Sequence, residues 1–255
     1  MKRIVNALMI FFFYTAMMFG ILLLVPIRMS KKAQQVLFAR LVYPIAMYLM
    51  NDMIDELRRL TVSQLNGLLS HDASLREQGA LRVLEIGAGP GYNFDFMKRK
   101  VHYWNLDPNS EFSADLQRRL KRNPNVTMER YIQGYAEDMR GVPDDHFDAV
   151  LMTYVLCSAM DVEKVLAECK RVLAKGGRLV FAEHVAQPRG SWGLTLEKIV
   201  EPLWKKLSCG CHVTRRSGEV LAGAGFDRLE LKELTLPTVT PLSLNVWGYA
   251  EVDKE

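Results

Sequence analysis

The chain has 255 residues, 49% of them hydrophobic and 24% charged, which supports one full core plus an additional segment and excludes a disordered or collagen-like chain. Four cysteines are too few for a disulfide scaffold, so a reducing compartment is expected. The net charge of +4 sits wholly in residues 1–80, with nine Lys/Arg against five Asp/Glu, while residues 81–255 carry 24 of each; a nucleic-acid partner, which needs its basic residues on the domain itself, is therefore not expected.

The chain opens on its most apolar stretch. Ile4 to Ile27 contain no charge, and as a helix they would extend about 36 Å, enough to cross a hydrocarbon layer with tilt. The run is longer than a signal-peptide core and ends in Val25-Pro26-Ile27-Arg28 with no small-residue cleavage site, so residues 1–28 are predicted to be a membrane anchor in contact with lipid. Eight of the 13 methionines fall in the first 53 residues, a composition of adaptable apolar surface. Arg28, Lys31, Lys32 and Arg40 outnumber Lys2 and Arg3, which places the body of the protein in the cytosol. Pro26 and Gly20 would equally permit a helix that enters and leaves one leaflet. The sequon Asn125-Val126-Thr127 is a reporter, because a glycan on Asn125 would reverse this orientation.

Residues 29–80 are predicted to hold juxtamembrane helices and a linker. From Leu49 to Leu69 apolar residues recur at helical spacing, with Asp52, Asp55, Arg58 and Arg59 mainly elsewhere around the helix. This helix either packs on the domain or forms a lid over a substrate pocket that also rests on the membrane. Gly67 to Gly79 read as a polar linker.

Residues 81–255 alternate strand and helix patterns. Strands are predicted at Leu81–Ile86, His102–Leu106, Val126–Tyr131, Phe147–Thr153 and Arg178–Glu183, and two late runs, Arg228–Leu236 and Asn245–Val252, would form an antiparallel pair at the edge. The fold class is α/β, a mostly parallel sheet covered on both faces. Within it Val83-Leu84-Glu85-Ile86-Gly87-Ala88-Gly89-Pro90-Gly91 runs a buried strand straight into a glycine-rich turn, where positive φ and close ligand approach are possible. Asp107 ends the next strand, 20 residues after Gly87, where a carboxylate can accept hydrogen bonds from ribose hydroxyls. The dinucleotide fingerprint is G-x-G-x-x-G; here the pattern is G-x-G-x-G and Tyr92 stands where that fingerprint has its third glycine.

This arrangement resembles the first motif of the class I S-adenosylmethionine-dependent methyltransferases. Gly134-Tyr135-Ala136-Glu137-Asp138-Met139 lies where that class has its adenine-contacting turn, Phe147-Asp148-Ala149-Val150 opens the fourth strand, and Arg171 to Arg178 resemble the helix-to-fifth-strand turn. Many members have Asp where this chain has Tyr135, so either Glu137 substitutes or the backbone near Ala136 makes the adenine contact. The resemblance implies a Rossmann-like, seven-stranded methyltransferase fold. It also implies a cofactor site of Glu85, Gly87, Ala88, Gly89, Gly91, Asp107, Ala136, Glu137 and Thr153, the last ending the fourth strand. A narrower resemblance is to the membrane-anchored methyltransferase-like protein seven family, carried by Val155-Leu156-Cys157-Ser158, Glu183-His184-Val185-Ala186, Cys211 with Thr214-Arg215, and Gly248-Tyr249-Ala250. It implies methylation of small lipophilic alkyl thiols at the endoplasmic reticulum or lipid droplets. Methylation of a quinone or other lipid, and a non-catalytic membrane scaffold, are the alternatives.

A thiol attacks as thiolate, and an unperturbed thiol is only a few per cent ionised at neutral pH, so a nearby base or positive field would help. His184, after the fifth strand, is the candidate base, or a structural histidine at a strand end. Glu183 would orient it or bind the cofactor. Cys157 lies at the end of the fourth strand as a pocket residue or a small buried apolar one, and Cys169 as core. Cys209-Gly210-Cys211-His212 invites a zinc reading, but no second cluster supplies a ligand at zinc spacing, so no metal is expected. Trp192, Leu203 and Trp204 would line an apolar substrate wall or belong to the core.

Overall fold

The computed structural model describes residues 12, 15, 16, 18–20, 23, 28–238 and 241–254. Its elements in chain order are α1 (Lys31–Leu37), a π-helical turn (Phe38–Val42), α2 (Tyr43–Ser63), α3 (Ala73–Glu77), β1 (Leu81–Ile86), β2 (Val101–Leu106), α4 (Ser113–Leu120), β3 (Val126–Ile132), β4 (Phe147–Thr153), α5 (Val162–Val172), β5 (Leu173–His184), α6 (Trp192–Leu207), α7 (Ser217–Gly223), β6 (Arg228–Thr235) and β7 (Leu244–Glu251). The seven strands form one sheet in the order β3-β2-β1-β4-β5-β7-β6. β1 to β5 are mutually parallel, and β7 is antiparallel to both β5 and β6. The order reverses between β1 and β4, and the carboxyl ends of these strands form the crevice in which ligands bind in open α/β sheets.

The central strands are buried because they are covered on both faces. β4, Phe-Asp-Ala-Val-Leu-Met-Thr, is buried at every position but the last. One apolar layer joins Leu84, Ile86, Val150, Met152 and Phe181 to Val165, Leu166 and Cys169 of α5. The other joins Val83, Phe94, Tyr103, Leu151 and Val180 to Leu116 of α4 and Val62 of α2.

Three expectations change. β5 starts at Leu173 rather than Arg178, because Leu173 already pairs with Phe147 before the glycine turn at Gly176-Gly177 and pairing resumes at Arg178 with Ala149. The helix expected from Leu49 starts at Tyr43 and stops at Ser63, and it packs on the domain through Leu57 against Ala182 and Trp247. Arg58 lies on the buried side of that helix, 4% exposed. Its guanidinium is accommodated there by Asp55 at 2.7 Å and the Tyr92 ring at 4.6 Å. The segment read as a linker is anchored to the sheet. Asp148 in β4 accepts the His71 and Arg82 backbone N–H groups, each at 2.8 Å, and Asp72 caps the short α3.

The anchor predicted over residues 1–28 lies largely outside the described residues. Among those described, no helix is long and apolar enough to cross a membrane. The described positions at 12, 15, 16, 18–20 and 23 are helical. Gly20 approaches α6 so closely that an added Cβ would lie 2.5 Å from Leu203 Cδ2, while Phe12, Met18, Phe19 and Leu23 are exposed.

Candidate active site

The glycine turn is shaped by what surrounds it. Gly87 has φ +67°, and a Cβ there would lie 2.9 Å from Val155 Cγ2. Gly91 has φ +82°, and a Cβ would lie 2.7 Å from the Phe94 ring and 2.8 Å from Leu116. At both, the backbone conformation and the neighbour exclude a side chain. Gly89, between them at φ +53°, has nothing nearer than Phe112 at 4.0 Å, so its solvent side is open for a ligand. Ala88 closes the turn, its carbonyl accepting the Gly91 N–H at 2.9 Å.

Asp107 ends β2 beside this turn. One carboxylate oxygen accepts the Gly89 N–H at 3.1 Å and the other the Asn109 N–H at 2.7 Å. Burial raises its pKa against these two bonds. An acid fixed next to an open glycine backbone fits a ribose diol and the group attached to it. The remaining cofactor candidates divide. Thr153 reaches the same end of the sheet, but Glu85 does not face an open site. Its carboxylate accepts the Tyr103 O–H at 2.6 Å and Asn93 Nδ2–H at 2.7 Å, and Asn93 also donates to Thr153 Oγ1 at 3.0 Å. Glu85 therefore braces the turn from beneath. Asn93 and Tyr103, which complete this brace, carry no motif by which sequence could have singled them out. Glu137 accepts the Met160 backbone N–H at 2.7 Å, which ties the Gly134–Met139 turn to the β4 side of the site, and Ala136 is buried.

Burial outweighs the Tyr103 and Asn93 hydrogen bonds and pushes the Glu85 carboxyl up to about 7. A folded-state value above the unfolded one means that folding favours the protonated acid. The resulting stability is full below the unfolded value and is lost as pH rises through the folded value. Glu85→Gln removes this dependence while keeping the shape. The melting-temperature difference, variant minus parent, should therefore grow between about pH 5 and about pH 8; parallel melting curves across that range would show that Glu85 does not titrate there.

Across the mouth of the site lies α1. Gln35 Nε2 donates to the Pro108 carbonyl at 3.1 Å, and Asn109 Nδ2 donates to the Gln35 carbonyl at 3.3 Å. Lys32 and Arg40 pair with Glu111, Lys31 lies 5.5 Å from the Tyr135 ring centroid, and Cys209 reaches the Gln34 carbonyl at 3.6 Å. One short polar helix thus touches the loop after Asp107, the Gly134–Met139 turn and the segment after α6.

At the ends of β4 and β5 the predicted catalytic residues come together. Glu183 is fully buried and accepts three backbone N–H groups, from Val155 at 2.7 Å, Leu156 at 2.8 Å and Cys157 at 3.4 Å. This builds the turn that presents Cys157. His184 Nε2 lies 3.1 Å from Cys211 Sγ, and Trp204 Nε1–H donates to the same sulfur at 3.4 Å. Cys157, His184 and Cys211 are all buried, and the neighbouring Cys211 sulfur, with burial, raises the Cys157 thiol well above its usual value. Cys169 is core, as expected, and His212 turns away to Glu201 at 3.0 Å. Trp192 is 84% exposed and lines no wall, whereas Leu203 is buried.

The geometry agrees with what the chain is similar to. Residues 84–181 match the model of a methyltransferase domain. The human thiol S-methyltransferase TMT1B is 36% identical over 201 residues, which cover 78% of this chain and 80% of that protein. The human thiol S-methyltransferase TMT1A is 35% identical over 173 residues, covering 68% and 71%. In fold, an S-adenosylmethionine-dependent methyltransferase from Thermotoga maritima superimposes with a TM-score of 0.57 at 20% identity over 87% of this chain and all of that one.

Proposed function

We propose that this chain, which belongs to the family of the thiol S-methyltransferases TMT1A and TMT1B within the S-adenosylmethionine-dependent methyltransferases, methylates small lipophilic thiols at a membrane surface. The family makes it an S-adenosylmethionine-dependent methyltransferase. S-adenosylmethionine supplies an activated sulfonium methyl group, so the protein's own work is to hold, orient and desolvate. The glycine turn and Asp107 hold the nucleoside end, Glu137 and Ala136 border the base, and α1 covers the mouth.

The observation that carries the choice of acceptor is the chemistry at the ends of β4 and β5. The carboxylate of the turn, Glu183, is taken up by three backbone N–H groups, and beside Cys157 lie the Cys211 sulfur, which holds the His184 imidazole and the Trp204 indole, and the Ser158 hydroxyl at 3.5 Å. Such surroundings receive a neutral, polarisable thiol at small desolvation cost, and a thiol with a pKa near ~8.5 needs only modest help to ionise, unlike an aliphatic hydroxyl. The membrane part of the reading is supported by the uncharged run Ile4–Ile27 and by a stripe of exposed apolar side chains, Leu41, Ile45, Tyr48 and Leu49, which follows α1. On this reading the catalytic domain faces the cytosol from the endoplasmic reticulum or a lipid droplet, where apolar thiols concentrate.

The test is an acceptor screen on the full chain in membranes with methyl-labelled cofactor. Label should enter alkyl thiols as thioethers, and more readily as the alkyl chain lengthens. Label in phenols, amines or quinone carbons alone would replace the thiol reading.

A further inference from the structure

Three side chains from three separate elements converge behind the β4 turn. Cys157 Sγ, His184 Nε2 or Nδ1, and Cys211 Sγ all lie within 4.8 Å of one another, and each residue is buried. Cys157 comes from the turn that Glu183 shapes, His184 from the last residue of β5, and Cys211 from the loop after α6. All four cysteines of the chain are free thiols. The loop that brings Cys211 in is fixed, because the His212 N–H donates to the Cys157 carbonyl at 2.9 Å and Arg215 donates to the Ala159 carbonyl at 2.7 Å and to the Leu156 carbonyl. The donors are therefore held in place before any ligand arrives.

We propose that Cys157, His184 and Cys211 bind one Zn²⁺ and leave its fourth position to the acceptor sulfur. The donor set is right for a borderline-soft cation, since two thiolates and an imidazole are common zinc ligands. Tetrahedral zinc with Zn–S near ~2.3 Å and Zn–N near ~2.0 Å puts its ligand atoms about 3.5–3.8 Å apart; the three donors lie within 4.8 Å of one another, and the His184 Nε2–Cys211 Sγ pair, at 3.1 Å, opens slightly to take the ion. The ligand number separates the two kinds of zinc site. Structural sites close with four protein ligands, whereas three protein ligands leave a position for water or substrate.

A second, independent observation points the same way. Among the described residues, His184 Nδ1 and Glu197 Oε1 are both buried without a hydrogen-bond partner, while the other Glu197 oxygen accepts the Gln187 N–H at 3.0 Å. Metal-bound histidines regularly have a carboxylate on the far ring nitrogen, which fixes the ring and strengthens the donor. Glu197 on α6, which acts on His184 electrostatically without a hydrogen bond to it, is the acid available for that role. His184 is then a ligand, in place of the free base offered by the sequence.

The chemistry balances without an outside reagent. The acceptor R–SH releases its proton to solvent as its sulfur takes the fourth position on zinc. A sulfur lone pair forms the new C–S bond to the donor methyl. The old methyl–sulfonium bond breaks, and its electron pair stays on the departing S-adenosylhomocysteine. The product thioether is neutral and a weak ligand, so it leaves. This step rests on the thiol reading of the acceptor; the metal site itself does not.

The test is metal analysis of the full chain purified in detergent without chelator. Zinc should be found at about one per chain and fall below about a tenth of that in Cys157→Ser and Cys211→Ser, with folding followed by circular dichroism. In the Co²⁺-substituted protein, sulfur-to-cobalt charge-transfer bands should be present and should shift when an alkyl thiol is added. Parent protein without zinc, zinc that survives both substitutions, or a Cys157–Cys211 disulfide in the purified protein would overturn the site. Cobalt bands indifferent to thiol would overturn the open position. Stoichiometric zinc in a protein that methylates no thiol would leave the metal and remove the acceptor, whereas thiol methylation by a zinc-free chain would do the reverse.

Discussion

Replacing Asp107 with Ala should weaken S-adenosylmethionine binding by about 10- to 100-fold, measured by titration calorimetry on the full chain. The expectation follows from what a buried carboxylate does at this position. Hydrogen bonds to a charged group contribute about 1.5–3 kcal/mol each, and tenfold in affinity is about 1.4 kcal/mol. Asp107 acts twice. It would accept from the ribose hydroxyls, and it already holds the Gly89 N–H at 3.1 Å, which fixes the open part of the turn. Asp107→Asn separates the two effects, since it keeps the size and one acceptor oxygen while removing the charge. Its loss should be smaller than that of Ala. S-Adenosylhomocysteine should suffer equally, because the methyl group is remote from the ribose. Unchanged affinity in Asp107→Ala would remove the ribose role and leave the acid a loop brace only.

That acid was legible in the sequence because strand, turn and carboxylate are close along the chain. The observed bounds of β1 and β4 coincide with those predicted, since Leu81–Ile86 and Phe147–Thr153 are short apolar runs bounded by turn residues. The edge pair was legible for the same reason, although its place in the order, with β7 between β5 and β6, comes from topology alone. Helix α2 was legible by its periodicity but not by its contents. Arg58 reads as a solvent-side charge, and its burial is made possible by Asp55, Asn51 and Met47 on its own helix and by the Tyr92 ring from another part of the chain.

What could not be read is whatever depends on distant segments meeting. The Cys209-Gly210-Cys211-His212 run looks like half of a zinc site, and its local spacing misleads. Cys209 goes to the Gln34 carbonyl of α1, His212 goes to Glu201, and only Cys211 joins Cys157 and His184, 54 and 27 positions upstream in the chain. The docking of α1 was not legible for a different reason. Lys31 to Leu37 are mostly polar and carry no amphipathic signal, so their position beside the loop after Asp107 is set by individual hydrogen bonds with Pro108 and Asn109 rather than by a hydrophobic stripe.

Glu183→Ala should destabilise the chain by about 3–5 kcal/mol, because it leaves the Val155, Leu156 and Cys157 N–H groups buried without an acceptor, at a cost of about 1–3 kcal/mol each when the turn does not relax. At about 2–4 °C per kcal/mol for a domain of this size, thermal unfolding should shift by about 6–20 °C. Glu183→Gln discriminates between two roles for the same acid. Both short bonds, at 2.7 and 2.8 Å, fall on one carboxylate oxygen, so an amide oxygen in that place preserves them and only the 3.4 Å bond to Cys157 is lost. If Glu183 positions the turn, Gln restores most of the melting temperature and keeps turnover within about tenfold of the parent, because the geometry at Cys157 is retained. A proton-transferring acid would give the opposite pattern, a protein that melts normally and no longer turns over. The burial of both oxygens and the three donors already on them favour the first outcome, in which Glu183 sets the shape of the β4 turn.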